Sequence, residues 1–212
     1  MVLVSARVVG AQAPESAGPP VAPDSVAARL LVDIRSLDST IAVDVRYATA
    51  DNFTGAPLPG YEAQRVLLRR EAAEALVRVQ RRLEASGLGL KVFDGYRPVR
   101  ATRAMVDWAH RTGRAYLVEE GYIAARSRHN LGLAVDLTLV DRRTRAEPDM
   151  GTPYDDFSEA AHTARASGLV ARHRRQLVEA MAGEGFVNYE KEWWHFSYEV
   201  AGETPAFDLV VR

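Results

Sequence analysis

The spacing of apolar residues changes along the chain, and the helical spacing is clearest in residues 71–86. Five apolar residues recur there every three or four positions, and Gly87 is placed to end the helix. A second helix is predicted to begin at Pro98, which suits a first helical turn, and to run to about Gly113. A third helix is predicted over residues 170–185.

Shorter apolar runs predict strands at residues 30–34, 41–45, 90–93 and 133–140, and one or two strands within 186–200. The helices and strands mix without the regular alternation of a parallel sheet. The pattern therefore predicts an α+β fold: a single domain with a central, partly antiparallel sheet flanked by helices. Residues 49–61, rich in Gly, Pro, Asp and Asn, are predicted to form a long loop.

The first residues lack such periodicity. Residues 1–13 are mostly apolar and contain Ala11-Gln12-Ala13, but Arg7 interrupts them, so they match an export signal incompletely. Residues 14–25 are rich in Pro, Ala, Gly and Ser, which is typical of a linker. We predict a flexible leader and linker at residues 1–28 and one folded domain at 29–212. A cytoplasmic location is favoured, and export stays open.

The composition narrows the chemistry. Twenty-seven basic and 28 acidic residues give a net charge of −1, so no overall field favours nucleic acid as a partner. No apolar run approaches the ~18 residues of a membrane-spanning helix. Cysteine is absent, which excludes disulfides, thiolate nucleophiles and cysteine-bound metals. Any metal must be held by His, Asp or Glu.

An aspartate stands inside the predicted strand at 133–140. Alternation puts four apolar residues on one face and leaves Ala134, Asp136 and Thr138 on the other. His129 precedes the strand and is separated from it by Gly132, so the imidazole can lie beside Asp136. These two residues form half of a possible metal site.

Glu192 and His195 stand among aromatic residues near the end of the chain. Residues three apart face opposite sides of a regular strand, so the two converge only if the backbone bends between them. Two imidazoles and one carboxylate are a common catalytic zinc set, and a free carboxylate nearby can act as the base. Spacing alone leaves the alternative open, in which Asp136 bonds to loop amides and His195 sits in an aromatic core.

Arg97 lies in the turn Asp94-Gly95-Tyr96-Arg97-Pro98. Its guanidinium can stabilise the negative oxygen that develops when water attacks a carbonyl. The alternative is an ion-paired surface arginine.

Four motifs, in this order along the chain, show a resemblance to a known family: residues 47–61 with Asp51-Asn52-Phe53-Thr54-Gly55, the turn at 94–98, Ser127-x-His129-x-x-Gly132-x-Ala134-x-Asp136, and Glu192-Trp193-Trp194-His195. Between about residues 31 and 198 the chain resembles the D-alanyl-D-alanine dipeptidases of the zinc peptidase family that includes the vancomycin-resistance dipeptidase.

The resemblance implies one Zn²⁺ on the sheet, held by His129, Asp136 and His195, with Glu192 as general base and Arg97 at the oxyanion. It also implies that Ser127 contacts the substrate carboxylate. Asp155 is the best match to the family's ammonium-binding aspartate, with Asp156 as a rival.

The expected reaction is hydrolysis of the small dipeptide D-Ala-D-Ala to two D-alanines. Two alternatives share the metal ligands: a peptidoglycan D,D-carboxypeptidase and an L-Ala-D-Glu endopeptidase. An alternative from another class is a non-catalytic, zinc-stabilised binding module, since hedgehog-type domains are similar to this superfamily. The retained Glu192 and Arg97 favour an enzyme.

Overall fold

The computed structural model describes residues 20–202 and 205–212, and all element bounds refer to that part of the chain. Its strands are β1 (Leu31–Asp33), β2 (Ala42–Val43), β3 (Leu67–Arg69), β4 (Leu88–Asp94), β5 (Ala134–Asp141), β6 (Phe186–Asn188) and β7 (His195–Tyr198). Its α-helices are α1 (Asp24–Leu30), α2 (Ile34–Leu37), α3 (Arg70–Glu84), α4 (Val99–Arg111), α5 (Tyr116–Glu119) and α6 (Gly168–Ala182).

Five strands form one mixed sheet in the order β2-β4-β5-β7-β6, and β1 pairs with β3 separately. The β2–β4 pair is parallel, whereas the other pairs of the five-stranded sheet are antiparallel. Helices α3 and α6 contact each other and the sheet. The α+β prediction with a partly antiparallel sheet is therefore confirmed.

The core explains why these elements form. The apolar face of α3 is buried through Leu76, Val79 and Leu83, and β5 contributes the buried Leu137 and Leu139. These side chains share one hydrophobic cluster, and their removal from water is the main favourable term in folding. Helices α3, α4 and α6 match the predicted helices to within three residues at each end.

The predicted strand at 30–34 is shorter in the structure because α2 begins at Ile34. The side chain of Asp33 accepts a hydrogen bond from the Arg35 amide at 2.9 Å, which caps the first turn of α2. A local capping bond thus overrides the apolar run.

A β-bulge at Phe93 determines which side chains face the site. Val92 pairs with Leu137, but Asp94 pairs with Asp136, so the register shifts by one residue between them. Asp136 in turn pairs with His195 of β7. The bulge thus aligns Asp94, Asp136 and His195 in one row across three strands, which we call the polar row.

The predicted export signal and the first half of the predicted linker, residues 14–19, lie outside the described residues. Helix α1 begins at Asp24, four residues inside the predicted leader, and Ala27 is fully buried. The predicted boundary at residue 28, between the leader and the folded domain, stays a prediction. Within the described residues, no helix has the length and apolar character needed to cross a membrane.

Candidate active site

All seven residues predicted from the sequence to form a site line one cavity of about 270 Å³. They come from five separate parts of the chain: Arg97, Ser127, His129, Asp136, Asp155, Glu192 and His195. Small concave sites with a few convergent polar groups are the usual form of a ligand-binding pocket.

Three potential metal donors meet at the polar row. His129 Nε2 lies 3.1 Å from His195 Nδ1 and 3.3 Å from Asp136 Oδ1, and His195 Nδ1 lies 2.9 Å from Asp136 Oδ1. A tetrahedral zinc ion with bonds of about 2.0–2.1 Å separates its ligands by roughly 3.3 Å. The three donor atoms therefore fit one such ion with little movement.

His129 is oriented by its other ring nitrogen. Nδ1 lies 2.6 Å from the Gly95 carbonyl, which can only accept, so Nδ1 carries the proton and Nε2 presents its lone pair to the site. A metal-binding histidine is usually fixed in this way by a backbone carbonyl. Gly95 follows β4, so the turn that carries Arg97 also sets the tautomer of His129.

The protonation of the other two donors also suits a cation. Burial lowers the pKa of His195 below its usual value, despite the bond to Asp136, and so favours the neutral imidazole. Burial alone would raise the pKa of Asp136, but His129 and His195 together hold it well below the usual carboxyl range. The set therefore presents the neutral imidazole of His195 and the ionised carboxylate of Asp136 beside the His129 ring.

Glu192 precedes β7 instead of lying within it. It sits in a turn where the His195 amide donates to the Glu192 carbonyl at 3.3 Å. This turn brings the Glu192 carboxylate to 3.9 Å from His195 Nδ1, which is the convergence that a regular strand forbids. Burial, with the charges of Asp136 and Asp155, raises the pKa of Glu192 well above the usual carboxyl range.

Arg97 is held by Asp94, a residue without a role in the sequence prediction. Asp94 is fully buried and accepts from Arg97 Nε and Nη2, each at 2.9 Å, and from the Tyr61 hydroxyl at 2.6 Å. Within the described residues, the one hydrogen-bond acceptor of Arg97 Nη1 is the weak acceptor Met105 Sδ at 3.4 Å, so the Nη1 protons remain available to the cavity. The alternative of a surface arginine is wrong for the described structure, since the Arg97 side chain is 11% exposed.

We predict that Asp94→Asn lowers kcat more than it raises KM, because Arg97 loses a charged anchor. Losing one charge-assisted hydrogen bond costs about 1.5–3 kcal/mol, or roughly 10–100-fold in rate. Steady-state kinetics measure the change, and Asp44→Asn, a surface carboxylate bound to Lys91, is the matched control. An unchanged kcat in a folded Asp94→Asn protein would contradict this anchoring role.

Ser127 caps the turn that carries His129. Its Oγ accepts from the His129 amide at 3.2 Å, and the Asn130 side chain accepts from the Ser127 amide at 3.3 Å. The Ser127 hydroxyl proton stays available as a donor. Arg126 and Arg128 flank Ser127 and also line the cavity.

Asp155, and not its rival Asp156, lines the cavity. Its backbone has φ 61°, a left-handed conformation that is uncommon for residues other than glycine and more common for Asp than for most. The Tyr47 hydroxyl donates to both Asp155 carboxylate oxygens at 3.1 Å. Burial and the charge of Asp136 raise the pKa of Asp155 well above the usual carboxyl range.

The loop that carries Asp155 is tied to α6 by Arg174. Arg174 is 2% exposed and donates to the carbonyls of Met150, Ala160 and His162 at 2.8–3.0 Å. A buried arginine with its donors satisfied stabilises a loop that has no sheet partner.

One wall of the cavity is aromatic. Phe53, from the long loop that the sequence predicted, packs edge-on against Trp108 and Phe157 at 5.0 Å between ring centroids. Phe53, Phe157 and Tyr122 all line the cavity. The loop predicted at residues 49–61 thus contributes Phe53 to the pocket wall.

The chain matches known proteins over most of its length. A family model described as D-ala-D-ala dipeptidase matches residues 27–208. The D-alanyl-D-alanine dipeptidase of Streptomyces coelicolor is 39% identical over 179 residues, which cover 77% of this chain and 89% of the relative. The enzyme of that name from Enterococcus faecium is 37% identical over 169 residues, covering 72% and 83%.

Solved structures give weaker matches. The vancomycin resistance D,D-pentapeptidase VanY in complex with Zn(II) is 18% identical with a TM-score of 0.42, covering 76% of this chain and 87% of that chain. The D,D-dipeptidase VanXYg in complex with a D-Ala-D-Ala phosphinate analog is 18% identical with a TM-score of 0.41, covering 80% and 66%.

Proposed function

This chain belongs to the D-Ala-D-Ala dipeptidase family, and we propose that it hydrolyses D-Ala-D-Ala to two D-alanines in the cavity that contains the polar row. One observation carries the proposal: three metal donors, a separate buried carboxylate and a largely buried arginine converge in a cavity of about 270 Å³. This combination fits metal-assisted hydrolysis of a small peptide.

The proposed metal is a single Zn²⁺ bound by His129, Asp136 and His195. The donor set contains only nitrogen and oxygen, and three protein ligands leave one coordination position open. When bound, zinc supplies Lewis-acid polarisation of a carbonyl and makes water nucleophilic near neutral pH.

Glu192 is the proposed general base. Its carboxylate is close to the metal donors but is not one of the three, so it can take a proton from the attacking water. The same carboxyl group then delivers that proton to the leaving amine.

Arg97 is the proposed oxyanion stabiliser. The Asp94 carboxylate fixes one side of the guanidinium, and Nη1 is left to donate to the oxygen that gains negative charge. Donors that are already in place cost no reorganisation when the charge develops.

The two ends of a free dipeptide carry opposite charges, and the cavity offers a group for each. Asp155 is the proposed partner of the ammonium group. Ser127 is the proposed donor to the carboxylate, with the flanking Arg126 and Arg128 contributing positive charge at the same end. Reading both ends favours a free dipeptide over a longer chain.

Comparing D-Ala-D-Ala with N-acetyl-D-Ala-D-Ala tests this assignment. Acetylation removes the ammonium charge and leaves Asp155 without its partner. Breaking one side of a buried charge pair costs about 2–5 kcal/mol, so kcat/KM is expected to fall by roughly 30-fold or more. L-Ala-L-Ala serves as the stereochemical control, and release of free alanine is the measurement.

A peptidoglycan stem pentapeptide separates the alternatives. If the enzyme released its terminal D-alanine as fast as it cut the free dipeptide, a D,D-carboxypeptidase would replace the dipeptidase. Cleavage of the L-Ala-D-Glu bond would instead identify an endopeptidase.

A further inference from the structure

Tyr154 lies beside the proposed metal site and has no role in the proposed mechanism. Its ring stacks on Phe93 at 4.7 Å with an interplanar angle of 23°, and it packs edge-on against Trp194 at 5.5 Å. These contacts fix the ring, so the hydroxyl group has a defined position.

That hydroxyl group lies 3.0 Å from Asp136 Oδ2. The other oxygen, Oδ1, faces His129 and His195. The Oδ1 atom is therefore directed at the proposed zinc position, and the Oδ2 atom on the other side of the carboxylate contacts the Tyr154 hydroxyl. Arg97 Nη2 is also near Oδ2, but at the longer distance of 3.6 Å.

The hydrogen-bond partners indicate where the Tyr154 proton goes. Tyr154 Oη also lies 3.0 Å from the Tyr47 hydroxyl, which donates its own proton to Asp155. The Tyr154 proton can thus reach either a neutral hydroxyl or the Asp136 carboxylate. Hydrogen bonds to an ionised acceptor are roughly twice as strong as neutral ones, so Asp136 is favoured.

We infer that Tyr154 is a positioning residue that orients Asp136 for metal binding. The inference rests on the proposed function, because it assigns Asp136 to the zinc. Hydrogen-bond partners of metal ligands fix the direction of the ligand, and losing one typically weakens metal affinity by 10–100-fold.

Tyr154→Phe tests the inference by removing one oxygen atom. The stacking on Phe93 and the contact with Trp194 are retained, so the variant is expected to fold. Zinc affinity, measured by competition with a chromogenic chelator, is expected to fall by about 10–100-fold. At saturating zinc, kcat is expected to be lower as well, because Asp136 has lost the hydrogen bond that orients its Oδ2 atom.

Tyr47→Phe is the matched control. It also removes a phenolic oxygen, but that oxygen contacts Asp155 and the Tyr154 hydroxyl instead of a metal donor. This variant is expected to raise KM for D-Ala-D-Ala and to keep the zinc affinity of the wild type. The two variants therefore separate metal positioning from substrate binding.

Zinc affinity of Tyr154→Phe within about threefold of the wild type would overturn the inference, since that lies below the usual effect of such partners. A change confined to KM would overturn it too. Failure of the proposed function is distinguishable, because the wild-type protein itself would then bind no zinc or release no D-alanine.

Discussion

Glu192→Gln is expected to lower kcat by about 10²–10⁴-fold, the usual contribution of a general base. The amide has nearly the shape of the carboxylate but cannot accept a proton from water. Zinc content is expected to be unchanged, because Glu192 is separate from the three donors. Single-turnover kinetics and metal analysis on the same preparation measure both quantities.

Glu190→Gln is the control for this experiment, because Glu190 is an exposed carboxylate in the same turn. It is expected to behave as the wild type. Substantial activity in Glu192→Gln would remove Glu192 from the role of base. Loss of zinc from that variant would instead show that Glu192 binds the metal itself or holds one of the metal ligands in place.

Chelation is expected to abolish hydrolysis completely, and added Zn²⁺ is expected to restore it. The three donors are held by the sheet and by the Ser127-capped turn, so the empty site should keep its geometry and rebind the ion. A ligand at 100 times its Kd stabilises a folded protein by about 2.7 kcal/mol. The melting temperature should therefore rise when zinc returns, in parallel with turnover.

His195→Ala is expected to lose tightly bound zinc together with activity, because it removes one of three donors from the set. His110→Ala, at an exposed position on α4, is the matched control and should retain both zinc and activity.

The wild-type protein separates the enzyme from the non-catalytic zinc module. If it hydrolyses no dipeptide, but a chelator still lowers its melting temperature, the non-catalytic zinc module is favoured. Activity that survives metal removal would contradict the zinc site itself.

The sequence predicts the elements whose periodicity reflects burial. Helix α3 is recognisable because its apolar positions face the core, and β5 because its leucines do. The two halves of the site are also recognisable, since an aspartate inside a strand and a glutamate among tryptophans need an explanation. These features depend on local patterns.

The relation between the halves is a property of the folded chain. The bulge at Phe93 places Asp94 opposite Asp136, but the residue types at positions 92–94 do not predict a bulge. The turn at 189–194 brings the side chains of Glu192 and His195 together, whereas in a regular strand residues three apart would face opposite sides. The sequence alone therefore assigns no role to Asp94, Tyr47 and Tyr154, although the i,i+3 spacing of Asp94 and Arg97 is a usable signal.

The division of the site between sheet and loops has a consequence for how such an enzyme can diversify. The polar row stands on three hydrogen-bonded strands, where the backbone has little freedom. Ser127 and Asp155, the proposed contacts for the two substrate ends, stand on connecting segments, which tolerate insertion and substitution far better than strands do. Selection can thus alter which dipeptide is accepted mainly through Asp155 and its loop neighbours. Ser127 and Tyr154 also contact metal donors and are expected to vary less.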